Sequence, residues 1–102
     1  MKEEHNELLL RNNTEKKWFE AELDGRRGRV EYMRIQNRII YTHTEVDKAL
    51  AGKGVASRLV NFALEYARKE GLDIMPLCPF VAGYMKKNPA YNDLLAPGFK
   101  LG

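Results

Sequence analysis

The 102 residues are 44% hydrophobic and 30% charged, a balance that suits one globular domain with a modest core and excludes a disordered charged tail. The longest apolar runs, such as Leu8-Leu9-Leu10, are far too short to cross a bilayer, and the acidic start Met1-Lys2-Glu3-Glu4 lacks the basic-then-apolar pattern of a signal peptide, so the reducing cytoplasm is the expected location. A net charge of +3 is ordinary for a solvated surface, and the single cysteine, Cys78, makes neither an internal disulfide nor, with His5 and His43, a zinc cluster, so no metal is expected.

In chain order, Glu7–Arg11 reads as a short first strand that Asn12-Asn13-Thr14-Glu15 breaks with turn-forming residues. Lys17–Leu23 alternates, with Phe19, Ala21 and Leu23 on one face and Trp18, Glu20 and Glu22 on the other, the period of a half-buried strand. Asp24-Gly25 supplies a tight turn, because both residues accept positive φ at low cost. Arg29–Gln36 sets Val30, Tyr32 and Arg34 against Glu31, Met33 and Ile35, and Gln36-Asn37 reverses the chain into Arg38–Val46. These segments predict an antiparallel meander. Beyond Val46 the texture changes. Val55, Leu59, Phe62 and Tyr66 recur at helical spacing, and Ala56, Val60, Ala63 and Ala67 widen that stripe, which predicts an amphipathic helix of about four turns ended by Gly71. Leu72–Cys78 reads as a buried strand reached by a parallel crossover, in which Pro76 needs a place beside a bulge or without a ladder partner. Phe80–Lys87 reads as a second helix stopped before Pro89, and Tyr91–Leu95 as a last short turn. No repeat or linker divides the chain, so residues 1–102 are expected to form one α/β domain.

A pI near 9.1 invites a nucleic-acid reading. Lys16-Lys17, Arg26-Arg27 and Lys86-Lys87 are dispersed among acids and apolar residues rather than gathered in one basic stripe, so nucleic acid is not the expected partner. The link from Val46 to the long helix is more informative. Gly52 and Gly54 let a ligand approach the backbone closely, and the amides of Lys53 to Ser57 are expected to point out of a helix N-terminus, where the macrodipole favours a negative group. Glycines at such a place also serve simply as a flexible connection. The Gly-x-x-x-x-Gly-Lys-Ser/Thr loop is absent, since Val55 follows Gly54, and the six-residue dinucleotide glycine pattern is incomplete.

Ala51-Gly52-Lys53-Gly54-Val55-Ala56 resembles the pyrophosphate loop Gln/Arg-x-x-Gly-x-Gly/Ala of the GNAT acyltransferase superfamily at Gly54 and Ala56, and departs from it at Ala51. His43-Thr44-Glu45-Val46, Gly52 to Ala56, Cys78-Pro79-Phe80 and Lys87-Asn88-Pro89-Ala90-Tyr91 together resemble the small single-domain branch of that superfamily, over about Phe19 to Leu95. The resemblance implies an antiparallel meander followed by a pyrophosphate loop, a crossover helix, a parallel strand and a short helical tail. It implies acetyl-CoA as donor and an amine as acceptor, with the pyrophosphate on the amides of Lys53 to Ser57 and the pantetheine arm beside Val46. It implies too that the strands before the loop and after the helix splay apart around the acetyl group. The acceptor side is abbreviated, because Asn12 to Lys16 is too short to hold the pair of helices found in larger relatives. A CoA- or acyl-CoA-binding protein without turnover is therefore the alternative reading.

Several side chains carry two readings. Cys78 is either a nucleophile activated by the helix that follows it or a small buried packing residue. His43 and Glu45, two residues apart on one strand face, are either a proton relay for the acceptor ammonium or a surface pair. Family usage favours Glu45 as base, whereas the ordinary pKa of histidine favours His43. Tyr84, ahead of Tyr91, is either the acid that protonates the departing thiolate or a packing residue, and Asn88 either contacts the pantetheine or ends its helix.

Overall fold

The computed structural model describes residues 7–101; the start of the chain at positions 1–6, His5 included, and Gly102 lie outside the described residues. Strands β1 (Leu9–Asn13), β2 (Trp18–Leu23), β3 (Arg26–Ile35) and β4 (Arg38–Val46) precede a short 3₁₀ turn, Lys48–Leu50, and helix α1 (Val55–Glu70). Strand β5 (Asp73–Pro76), helix α2 (Pro79–Lys87) and a second 3₁₀ segment, Pro89–Leu94, complete the chain. The strands form one sheet in the order β1-β2-β3-β4-β5, antiparallel except for the parallel β4–β5 pair. This is the expected mixed α/β domain of meander, loop, crossover helix and parallel strand.

Turn chemistry sets the registers. Asp24 and Gly25 both take positive φ, 52° and 77°, so the β2–β3 hairpin closes on two residues whose twist matches its strands. The first strand differs from expectation, because Asn12 and Asn13 pair with Phe19 and Trp18 instead of ending it. Asn12 Oδ1 accepts the Tyr32 hydroxyl at 2.8 Å, and Asn13 closes the following turn by accepting Lys17 N at 2.9 Å and, through Oδ1, Lys16 N at 3.1 Å. Residues read as breakers thus satisfy their side chains while their backbones stay in the ladder. Pro76 meets the condition set for it. Asp73 N donates to Asn37 O, just before β4, and Leu77 N to Tyr41 O within it, so the intervening Pro76 nitrogen faces the sheet edge, where no donor is needed.

The core lies on one face of the sheet. Phe19, Val30, Ile39 and Tyr41 from the strands meet Leu59, Val60, Ala63 and Leu64 of α1 and Val81 and Met85 of α2, all fully buried. Each large apolar side chain buried this way contributes about 1.5–3 kcal/mol. Phe19 centres an aromatic cluster, 4.9 Å from Tyr32 and 5.2 Å from Tyr66 between ring centroids. Tyr41 buries its hydroxyl at no loss by donating to Ala63 O at 2.6 Å. On the opposite face Met33 and Ile35 are about half exposed, at 52% and 53%, and no described helix covers them.

Candidate functional site

Parallel pairing of β4 with β5 stops at Tyr41 and Pro76. Tyr41 O accepts both Leu77 N and Cys78 N at 3.0 Å, after which β4 continues to Val46 paired only with β3. The two strands therefore part, as the resemblance implies. Cys78 stands on one side of the opening as the N-cap of α2, and its buried Sγ lies 3.2 Å from Thr44 Oγ1 across the gap.

A bulge in β4 decides which side chains face which way. Glu31 pairs with His43 and Tyr32 with Tyr41, so Thr42 is an extra residue. Strict alternation would put His43 and Glu45 on the core face with Ile39 and Tyr41. The bulge instead turns Thr44 and Val46 inward, opposite Val30 and Gly28, and sends His43 and Glu45 to the outer face. His43 Nε2 and Glu45 Oε1 are 3.5 Å apart, and both side chains are more than half exposed. Arg29 holds the pair in place, with Nη2 donating to Glu45 Oε1 at 2.9 Å and Nε to Glu31 Oε2 at 2.7 Å, while its guanidinium stacks 4.9 Å over the Trp18 ring. The structure thus brings His43 and Glu45 together and sets Cys78 on the other side of the strand.

The loop is built as a cradle. Gly52 and Gly54 take φ of 79° and 73°, conformations that cost other residues about 1–2 kcal/mol, and a Cβ on either would meet nothing within 4 Å. Helix α1 begins without a side-chain cap, so among the described residues the amides of Val55, Ala56 and Ser57 find no acceptor and are free for a ligand. The amide of Lys53 differs from expectation, because the turn uses it: Lys53 N donates to Leu50 O at 3.2 Å. A groove of about 450 Å³ runs from Val46 past Gly52, Gly54, Val55, Ala56 and Ser57, and Asp47, Lys48, Leu50, Ala51 and Phe80 complete its walls. Lys48 supplies a positive charge beside a loop in which Ala51 does not. Sequence reasoning gave no role to Lys48, four residues ahead of Gly52, and only the fold brings Phe80, at the start of α2, to the loop.

Tyr84 and Asn88 part company. Tyr84, on α2, reaches α1, where its hydroxyl accepts Asn61 Nδ2 at 3.2 Å and lines a hollow that shares Ser57 with the loop groove. Asn88 lies at the opposite end of α2 from Cys78, and its Nδ2 donates to Tyr84 O at 2.8 Å. Its backbone amide closes the helix on Met85 O. Tyr91 directs its proton to Glu65 Oε2 at 2.5 Å, and burial followed by that carboxylate pushes its hydroxyl up to about 12. Of the two tyrosines, Tyr84 lines that hollow and Tyr91 does not.

Comparison with known proteins agrees with this architecture. The family model for the GCN5-related N-acetyl-transferase matches residues 18–94, from the first residue of β2 to the last of the second 3₁₀ segment. Protein NATD1 of Mus musculus is 30% identical over 95 residues, which cover 88% of this chain and 86% of the relative. The Homo sapiens protein of that name is 30% identical over 95 residues, 88% of this chain and 84% of its own length, and the Gallus gallus one 29% identical over 85 residues, 80% and 77%. The matched span holds the strand opening, the loop and both helices, and the chain belongs to the GCN5-related N-acetyltransferase family.

Proposed function

We propose that the protein transfers an acetyl group from acetyl-CoA to an amine by direct attack. The observation that carries this reading is the conjunction of the β4–β5 opening with a glycine loop whose helix presents unpaired amides. The chemistry of the groove fits the donor: free N–H groups of Val55, Ala56 and Ser57 with Lys48 for a pyrophosphate, and Val46 and Phe80 for a slender arm. When bound, acetyl-CoA supplies an activated thioester. The chain holds it in line with the acceptor, and the His43–Glu45 pair removes the proton that the amine loses as the C–N bond forms and the C–S bond breaks. Tyr84 returns a proton to the departing sulfur. Cys78, buried against Thr44 and on the far side of β4 from His43, packs the inner side of the opening.

Calorimetric titration tests the donor half of this reading. Acetyl-CoA and CoA are expected to bind with similar affinity and ATP much more weakly, since ATP lacks the arm. Absence of heat and of thermal shift with all three overturns it. A second reading, CoA binding without turnover, is favoured by the tight β1–β2 turn at Thr14–Lys17, which leaves the acceptor side uncovered. Release of CoA in the presence of amines decides between the two.

A further inference from the structure

The opening between β4 and β5 is a wedge whose narrow end is pinned. Tyr41 O accepts both Leu77 N and Cys78 N at 3.0 Å, which holds the two segments together up to that point. Cys78 is fixed from its other side too, because its carbonyl opens α2 by accepting Ala82 N at 3.0 Å. Its side chain makes no cap bond to that helix and turns across the wedge, where Sγ meets Thr44 Oγ1 at 3.2 Å. Atoms at that distance are in contact and leave no space between them for a methyl group. Behind the contact the core is closed: Val30, opposite Thr44 in the β3–β4 ladder, and Val81, in the first turn of α2, are fully buried. At the wide end Val46 and Phe80 wall the loop groove. Val46 lies two residues beyond Thr44 on the same inward face, about 7 Å at the usual strand rise.

We infer, on the acetyl-transfer reading above, that the Thr44–Cys78 contact is the end wall of the acyl pocket and restricts the donor to short acyl chains. The donor's arm enters past Val46 and Phe80, and its thioester stops where the wedge narrows. His43 and Glu45 receive the amine on the outer face of β4, which leaves the inner, apolar side to the acyl tail. The tail then points at Thr44 and Cys78. An acetyl methyl rests against them, whereas a butyryl chain carries two more methylenes into space that is already filled. Packed cores yield poorly to such additions, and a pocket built to size discriminates about 10–200-fold for one methylene. Neither side of the wall can retreat, since the Thr44 backbone is paired with Val30 and Cys78 is the residue on which α2 begins. Thr44 and Cys78 thus choose the donor by shape, and neither forms or breaks a bond during transfer.

Calorimetric titration of the whole protein with CoA, acetyl-CoA, butyryl-CoA and hexanoyl-CoA tests this with no acceptor present. Butyryl-CoA and hexanoyl-CoA are expected to bind at least about tenfold more weakly than acetyl-CoA. Cys78→Ala and Thr44→Ala each cut away one of the two contacting atoms, and both are expected to narrow the gap between acetyl-CoA and butyryl-CoA to under about threefold. Thr44→Val keeps the outline of the side chain without its hydroxyl and is expected to keep the full gap, as a wall made by shape requires. Equal affinity of acetyl-CoA and butyryl-CoA for the unaltered protein overturns the inference, because the tail then lies outside the wedge. A gap that survives in both alanine variants, or one that Thr44→Val abolishes, overturns it as well. The two levels separate in the same titrations. Binding of the CoA species without regard to chain length removes the acyl wall alone, and no heat with any of the four removes the acetyl-transfer reading and the wall together.

Discussion

Cys78 is 3% exposed, touches Thr44 Oγ1 at 3.2 Å and has His43 on the other side of the neighbouring strand. A base, a cation or a helix N-terminus can activate a thiol; Cys78 caps α2, but its Sγ is buried and its side-chain partner among the described residues is a neutral hydroxyl. Replacement Cys78→Ala is therefore expected to lower turnover by less than about tenfold, under about 1.4 kcal/mol of barrier. Intact mass after incubation with acetyl-CoA is expected to show no acetyl adduct on the unaltered chain. A stable adduct, together with a fall of several orders of magnitude in the variant, would assign Cys78 to the chemistry. His43 and Glu45 are legible as a pair from their spacing, whereas Arg29, which holds Glu45 and stacks on Trp18, is not, because that contact joins residues on three different strands.

At the scale of elements, the extra residue Thr42 bends β4 where its pairing with β5 ends. Deleting Thr42 leaves Tyr41 opposite Tyr32 and His43 opposite Glu31, so the sheet keeps its faces and loses only the bend. The melting temperature is expected to hold or rise, while the strands close toward each other and acetyl-CoA binds about tenfold more weakly, a change of about 1.4 kcal/mol that calorimetry reads directly. Unchanged affinity in that variant would mean that the opening owes nothing to the bulge. The loop and α1 were legible beforehand because glycine spacing and a 3.6-residue stripe are local features. The bulge was not, because two threonines within an alternating run carry no local mark of which one is extra.

For the whole molecule, stability should be flat in pH between limits set by opposite kinds of group. Burial raises the hydroxyls of Tyr41, Tyr32 and Tyr91 above their ordinary value of 10.0, the last to about 12. Below pH 10 both folded and unfolded chains keep these protons and the contribution is complete; as pH rises past 10 the unfolded chain releases them first, and stability falls until the folded values are passed. On the acid side, the Trp18 indole and then the Arg11 and Asn13 side chains hold Glu20 below its ordinary range despite its partial burial, and Arg68 does the same for Asp93. Their contribution is present above the ordinary carboxylate values and is lost as pH falls through the lowered ones. Thermal melts are expected to be level from about pH 5 to about pH 9. Tyr91→Phe is expected to melt lower at pH 7, by about 1–2 kcal/mol for the lost bonds to Glu65 and Asn61, yet to decline less steeply above about pH 10. An alkaline limb unchanged in that variant would place the effect elsewhere.

The chain's order of apolar and polar residues was enough to determine the meander, the amphipathic helix, the glycine loop and the parallel strand, because each depends on periods and turn residues within a few positions of one another. Motif resemblance was enough to indicate the family. Tertiary structure alone decided that Asn12 and Asn13 stay in the first strand, and that Cys78 and the His43–Glu45 pair stand on opposite sides of β4. Those outcomes follow from which backbone and side-chain partners come within hydrogen-bond reach, and that is settled only when strands distant in sequence are laid in register.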